Sequence, residues 1–256
     1  MEKTYKLLTP GPLTTSLEVK AAMLRDYSTW DEDYKNICQD IRKKLLDIAN
    51  LDHDTYTCVF IQGSGTFGVE AMITSLVGKS DKALIISNGK YGERIIEIAD
   101  RAGLNYIEYK CPYDELPNLD EIEDIIDRED DISHVVMVHL ETTTGILNNV
   151  KDIGELVKKH KKIFLVDGMS SFGGVEIDFK NIDSLVSSSN KCIEGIPGFS
   201  FIFVKKELLE SCKGKASTLS LDLYDQYEDM KDGKWRFTSP VHVALAFNQA
   251  LKEFQE

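Results

Sequence analysis

The stretch ALIISNGKYGERIIEIADRAGLNYIEY (83–109) decides the fold class. Its opening run, Ala83–Ser87, is short and apolar, as a buried strand is; Tyr91–Ala102 carries a helical pattern, and Leu104–Tyr109 returns to strand. The same alternation continues on both sides. Upstream, Thr57–Ile61 reads as a strand, followed by a glycine turn and a helix from Thr66 to Val77. Downstream come a helix at Leu119–Ile126, a strand at Val135–Leu140, a helix at Val150–His160 and a strand at Ile163–Val166. Two further strands follow, Ile182–Val186 and Phe199–Val204. Apolar strands alternating with amphipathic helices predict an α/β fold whose central sheet is mainly parallel and covered by helices on both faces. Ligands in such sheets sit at the carboxyl ends of the strands, so the loops there are where chemistry is sought.

The flanks are less regular. LLTPGPLTT (7–15) cannot be helical with two prolines around a glycine, so an extended arm is expected. Ser16 then caps a helix with Val19, Ala22 and Met23 facing inward, and Asp31–Ile48 is a helix with Ile37, Ile41, Leu45 and Ile48 on one side. Glu207–Cys212 reads as a short helix and the polar segment Lys213–Gly233 as loop. Pro240 opens a last helix, with Val243, Ala244, Phe247, Leu251 and Phe254 at helical spacing, that is still running at Glu256. The expected division is an N-terminal arm over 1–20 and a large domain over 21–256 that ends in an incomplete helix.

Composition narrows the function classes. A chain of 256 residues with 42% hydrophobic and 29% charged residues can bury a sizeable core. Its formal charge of -13 argues against nucleic acid or an anionic membrane as partner. An anionic ligand must therefore be held by a local site. No apolar run approaches the roughly 20 residues of a membrane span, and the start MEKTYK carries no apolar signal region, so a cytoplasmic location is expected. Cys38, Cys58, Cys111, Cys192 and Cys212 are scattered without a C-x-x-C pair, and the five histidines lack metal-ligand spacing. No metal is expected.

The strand-end loops carry the candidate chemistry. Gln62-Gly63-Ser64-Gly65-Thr66 leads from a strand into a helix, where glycines allow a tight turn and free N–H groups face an anion; a purely structural turn is the other reading. It is no P-loop, because the G-K-S of Gly78-Lys79-Ser80 has Ile73 where the first glycine belongs. Gly68 completes G-x-G-x-x-G by count, but Ser87-Asn88-Gly89 stands where a ribose-binding acid belongs. Tyr91, in Asn88-Gly89-Lys90-Tyr91-Gly92, could stack on a flat cofactor or belong to the core. Glu141-Thr142-Thr143-Thr144-Gly145 offers hydroxyls and a glycine for close approach. Asp167 ends an apolar strand, where a carboxylate needs a partner. A protonated ring nitrogen would serve; so would a helix N-terminus that it caps. Lys191, in the small polar loop Ser187–Gly198, is either an ordinary loop lysine or a covalent, Schiff-base lysine. Anion turn, aromatic, hydroxyl loop, acid and amine, all at one sheet edge, are together what pyridoxal phosphate requires.

At these residues the chain resembles the class V aminotransferases among the fold-type-I pyridoxal-phosphate enzymes. The resembling segments are LLTPGPLTTS (7–16), YSTWDEDY (27–34), QGSGTFGVEA (62–71), NGKYGERI (88–95), HLETTTGILN (139–148), VDGMSSFGG (166–174) and SSSNKCIEGIPGFSF (187–201). They run through nearly the whole chain and are most similar to the branch of the family that acts on phosphonates. The resemblance implies a homodimer with pyridoxal 5'-phosphate bound covalently to Lys191, which then shuttles the proton. It implies that Asp167 holds the pyridinium nitrogen and that Tyr91 stacks on the ring. Ser64, Gly65, Thr66 and Asn190 would serve the phosphate side, and Thr142 would lie near the ring hydroxyl. Thr238, in Trp235-Arg236-Phe237-Thr238-Ser239-Pro240, matches the place where the partner subunit reaches the phosphate. The implied substrates are 2-aminoethylphosphonate and pyruvate. Family members continue into a small C-terminal domain that supplies an arginine for the substrate anion, so the large domain is expected here with the small one largely missing. Alternatives are an alanine- or serine–glyoxylate transaminase, or a remnant that binds the cofactor without turnover. A desulfurase-like lyase is disfavoured, because no cysteine lies on an obvious mobile loop and Cys192 reads as packing.

Overall fold

A computed structural model describes residues 5–255; the first four residues of the expected arm and the final Glu256 lie outside the described residues. After the arm come α1 (Leu17–Ala21), continued by a 3-10 turn (Ala22–Leu24), and α2 (Glu32–Ile48). The alternating body follows as β1 (Tyr56–Gln62), α3 (Gly65–Leu76), β2 (Lys82–Ser87), α4 (Lys90–Ala102), β3 (Asn105–Lys110), α5 (Leu119–Arg128) and β4 (Ile132–Val138). Next are the two-residue strands β5 (Leu140–Glu141) and β6 (Ile146–Leu147), then α6 (Val150–Lys159), β7 (Ile163–Asp167), β8 (Ser184–Ser188) and β9 (Phe199–Lys205). The chain closes with α7 (Lys206–Ser211), α8 (Leu223–Met230) and α9 (Val241–Gln255).

The seven-stranded sheet runs β1-β9-β8-β7-β4-β2-β3. β9 is antiparallel to both of its neighbours, and the other pairs are parallel. The mainly parallel α/β sheet expected from the alternating pattern is therefore present, and β1, β2, β4, β7 and β8 deliver their carboxyl ends to one edge. Successive strand residues face opposite sides. On one side Phe199 and Phe201 pack on Phe247 of α9, at ring-centroid separations of 5.2 and 5.8 Å. On the other, Gly68 of α3 lies against Ser200 and Val186. Helices thus cover both faces.

Local chemistry accounts for the element boundaries. Ser16 accepts the Val19 N–H at 2.9 Å and caps α1 as its sequence predicts. Asn118 and Asn149 cap α5 and α6 in the same way. Gly103, with φ +65°, ends α4 in the left-handed region that glycine adopts freely.

Two expectations need correction. The strand expected over Val135–Leu140 stops at Val138: the His139 N–H still reaches the Asp167 carbonyl (2.8 Å), but the His139 carbonyl accepts the Asn148 N–H (2.7 Å) as the chain leaves the sheet for the small β5–β6 ladder. The segment Lys213–Gly233 is not all loop, since it contains α8. Asp222 accepts the Asp225 N–H, and Leu223, Tyr227 and Met230 are buried at spacings of four and three. Acidic residues on the outer face hid that stripe within a polar composition.

The packing of α3 on the sheet leaves no room at Gly68: an added Cβ would lie 2.3 Å from Ser200 Oγ and 2.6 Å from Ser200 Cβ. Gly68→Ala should destabilise the fold by about 1–3 kcal/mol, read as a lower urea midpoint at unchanged m-value.

Candidate active site

Asp167 is 4% exposed at the carboxyl end of β7. Among the described residues, the Met169 N–H is the one group that donates to its carboxylate, at 2.8 Å. Burial pushes its carboxyl up to about 6 against that hydrogen bond; the charge of Glu141 pushes further, while Arg94 and Lys191 pull it back. One acid, one further carboxylate and two cations thus converge on this point. A buried carboxylate held by a single neutral donor is a seat for a cation.

Lys191 lies in the loop after β8. Its N–H donates to the Ser188 carbonyl at 3.3 Å, and its own carbonyl accepts the Glu194 N–H at 2.7 Å. Glu194 is held at φ +60°, an uncommon conformation for a residue with a Cβ. Gly195 follows where a Cβ would approach the Ser189 carbonyl to 2.4 Å. The half-buried lysine amine donates to the Gly11 carbonyl at 3.4 Å. Gly11 has φ +145°, and a Cβ there would lie 2.5 Å from Lys191 Cδ. The N-terminal arm is therefore laid across the lysine. Asn190 accepts the Ser188 hydroxyl at 2.7 Å.

Two helix N-termini reach the same edge. At α3, Ser64 makes no side-chain capping bond and its side chain is exposed. Gly65 lies where a Cβ would meet Met169 Sδ at 2.4 Å, so this turn abuts the one after Asp167. Arg94 donates to Thr66 Oγ1 at 3.2 Å, and its guanidinium lies 4.7 Å from the centre of the Tyr91 ring. Tyr91 opens α4 and is half-buried, as is Thr142 beside the fully buried Glu141. Behind Asp167, His139 shares a hydrogen bond with Ser171 (3.0 Å), and burial lowers its pKa to about 4.

The structure thus gathers Ser64, Gly65, Thr66, Tyr91, Thr142, Asp167, Asn190 and Lys191 along one sheet edge. Thr238 is apart from them: it is exposed, in a separate hollow of about 320 Å³ with Trp30, Arg236 and Phe237. Arg94, Glu141 and Gly11 were missed from the sequence. Each stands inside a quoted motif, and Arg94 is one helical turn from Tyr91, the spacing at which side chains meet. The edge offers an open helix end for an anion, an aromatic face, a carboxylate that lacks a cation, and a primary amine. No group of histidine, cysteine or acidic side chains among the described residues could hold a metal.

The sheet and its helices have the fold of solved aminotransferases. The fold matches pyridoxamine–pyruvate aminotransferase from Mesorhizobium loti with a TM-score of 0.88 at 24% identity, over 97% of this chain and 64% of that one. It also matches alanine–glyoxylate aminotransferase from Nostoc sp. with a TM-score of 0.89 at 24% identity, over 99% and 68%. The family model "Aminotransferase class-V" covers residues 14–256, and the chain belongs to that family. Among curated relatives it is 55% identical to a 2-aminoethylphosphonate–pyruvate transaminase from Lysinibacillus sphaericus, over 98% of this chain and 70% of that protein. It is 51% identical to a bifunctional phosphonoacetaldehyde hydrolase/aminoethylphosphonate transaminase from Clostridioides difficile, spanning 41% of its length.

Two outcomes follow from this geometry. Because the folded chain holds the Asp167 proton more tightly than the unfolded chain does, stability should fall as pH rises from about 4 to about 6, by roughly 3 kcal/mol in all. Asp167→Asn removes that penalty, so in cofactor-free protein the variant should be the more stable one above pH 6 by up to that amount, and the two should converge near pH 4. Urea unfolding across that range checks it. Gly11→Ala should displace the arm from Lys191, which faster trypsin cleavage within the arm at unchanged global unfolding would report.

Proposed function

We propose that the chain is a pyridoxal-phosphate-dependent transaminase that moves the amino group of 2-aminoethylphosphonate to pyruvate, giving phosphonoacetaldehyde and L-alanine. The observation that carries the reading is the buried Asp167 carboxylate without a cation, at the same sheet edge as the Lys191 amine. The cofactor's donor needs fit these residues: a basic ring nitrogen meets Asp167, a phosphate meets the open end of α3 with the hydroxyls of Ser64 and Thr66, and an aldehyde meets an amine. The names of the relatives supply the substrates. Their phosphonate and carboxylate need local cationic partners in a chain of net charge -13, and Arg94 and Lys191 are the cations at this edge.

Pyridoxal phosphate, when bound, supplies an electron sink that acidifies the carbon bearing the amine. The chain's own groups do the rest. Asp167 keeps a ring proton in place, and Tyr91 covers one ring face. Lys191 would hold the cofactor through its amine and, as a free base, would be placed to take up and return the proton of the amine-bearing carbon. Asn190 would serve the phosphate side, and Thr142 would lie near the ring hydroxyl. Thr238 is assigned to the partner site of a homodimer, which accounts for its distance from Lys191 within one chain. A cytoplasmic location goes with this reading. Among the described residues, no helix is long and apolar enough to cross a membrane.

Pyridoxal phosphate added to the protein should give the visible absorbance band of a lysine-bound cofactor, and Lys191→Ala should abolish it. Identical spectra for the two proteins would refute cofactor attachment. Alanine should then form from pyruvate only when 2-aminoethylphosphonate is present. A band without alanine would leave cofactor binding standing and remove the transamination.

A further inference from the structure

The first turn of α4 is held by a segment distant in sequence. Its N-cap position is Gly89, which has no side chain with which to cap. Three consecutive N–H groups that would otherwise be orphaned are satisfied by residues 141–143. Lys90 donates to Thr143 Oγ1 at 3.2 Å, while Tyr91 and Gly92 donate to Glu141 Oε2 at 3.1 and 3.3 Å. The other oxygen, Oε1, accepts the Thr143 N–H at 3.1 Å and its hydroxyl at 2.6 Å. Glu141 is 0% exposed.

The fit is close. A Cβ on Gly89 would lie 2.3 Å from both Cγ and Cδ of Glu141, and one on Gly92 would lie 2.7 Å from Ser87 Oγ and 2.8 Å from Ser87 Cα. Both glycines of Asn88-Gly89-Lys90-Tyr91-Gly92 are thus explained: one admits the carboxylate, the other lets the turn press on the end of β2. A local Ser or Asp cap would satisfy one or two N–H groups and fix nothing beyond the helix. A carboxylate from β5 ties α4 to the hairpin that follows β4. The residue whose backbone it grips is Tyr91.

We propose that Glu141 is a positioning residue that fixes the first turn of α4, and with it the Tyr91 ring, against the strand-end site. The inference rests on the functional reading above, in which Tyr91 covers the cofactor ring. Glu141 touches neither cofactor nor substrate and acts through Tyr91.

The test is a double-mutant cycle on the full chain, with pyridoxal phosphate as the probe and the visible band as the readout of binding. Glu141→Gln keeps the shape but offers an amide where backbone donors point, so affinity for the cofactor should fall roughly tenfold. In a Tyr91→Ala background the same substitution should lose most of its effect, leaving only what Glu141 does through the charge of Asp167. Amide hydrogen exchange of the cofactor-free protein should show Tyr91 and Gly92 exchanging faster in Glu141→Gln. Thr143→Val, a milder change should Glu141→Gln fold poorly, should act in the same direction by a few-fold. Unchanged affinity in Glu141→Gln, or an equal loss in both backgrounds, would overturn the inference and leave Glu141 a stabilising cap. A wild type without the band is a different result, since it removes the functional reading first and the inference with it.

Discussion

A carboxylate taken out of water at the end of a central strand is the constraint on which the candidate site depends. The loop around Asp167 is fixed by its backbone. The Asp167 carbonyl accepts the His139 N–H at 2.8 Å, the Gly168 N–H donates to the Val186 carbonyl at 3.0 Å, and the Met169 N–H closes on the carboxylate itself. Gly168 has no room for a side chain, since a Cβ would lie 2.8 Å from Leu185 Cδ2. The protein carries a burial penalty that the Met169 N–H and the charges of Arg94 and Lys191 offset only in part. A cation that arrived there would relieve that penalty. The stability given up in the free chain then becomes binding free energy for a cationic ring, a trade common at functional sites.

The two helix ends at this edge show how the fold divides labour. Both α3 and α4 start beside the site, and each helix N-terminus attracts anions in principle. At α4 the first three N–H groups are consumed by Thr143 and Glu141, so nothing is left for a ligand. At α3 the Ser64 side chain leaves the end uncapped, and Arg94 is drawn to Thr66 beside it. One terminus is plugged by a protein carboxylate and becomes a rigid mount for an aromatic ring. The other stays open, as the proposed phosphate site requires. The acid that closes the first end also raises the pKa of Asp167, so mount and seat are electrostatically linked.

Most of this was legible from residue types and spacing because the relevant patterns are local. Alternating apolar runs and amphipathic helices specify a parallel sheet, and a parallel sheet brings loops such as 62–66, 88–92 and 187–198 to one edge whatever their contents. Lys191 and Asp167 could therefore be singled out as candidates before any contact was known, and the resemblance chose between their chemical and ordinary readings. What escaped were partnerships across long sequence separations. Nothing near Glu141 in the chain says that it caps a helix fifty residues earlier, and nothing near Gly11 says that it lies on Lys191, 180 residues away. The helix α8 escaped for another reason: its outer face is acidic, and composition outweighed a short stripe of three buried hydrophobic residues. Thr238 was named only through the resemblance, for its proposed role needs a second subunit and no feature within one chain gathers it.

The acidic surface poses a last question of physics: how an anion reaches a chain with a net charge of -13. Surface charges act through water and salt, which screen them within about 8 Å under physiological conditions. Groups at the sheet edge act at contact distance through partly buried surroundings, where the effective dielectric is lower and a single charge weighs far more. The open end of α3, the Arg94 guanidinium and the Lys191 amine need to prevail only over that short range. Glu141 opposes them in part, since its charge reaches Asp167, but its carboxylate is engaged by the N–H groups of α4 and Thr143. The global charge then governs solubility and deters polyanions, while three neighbouring donors decide what binds.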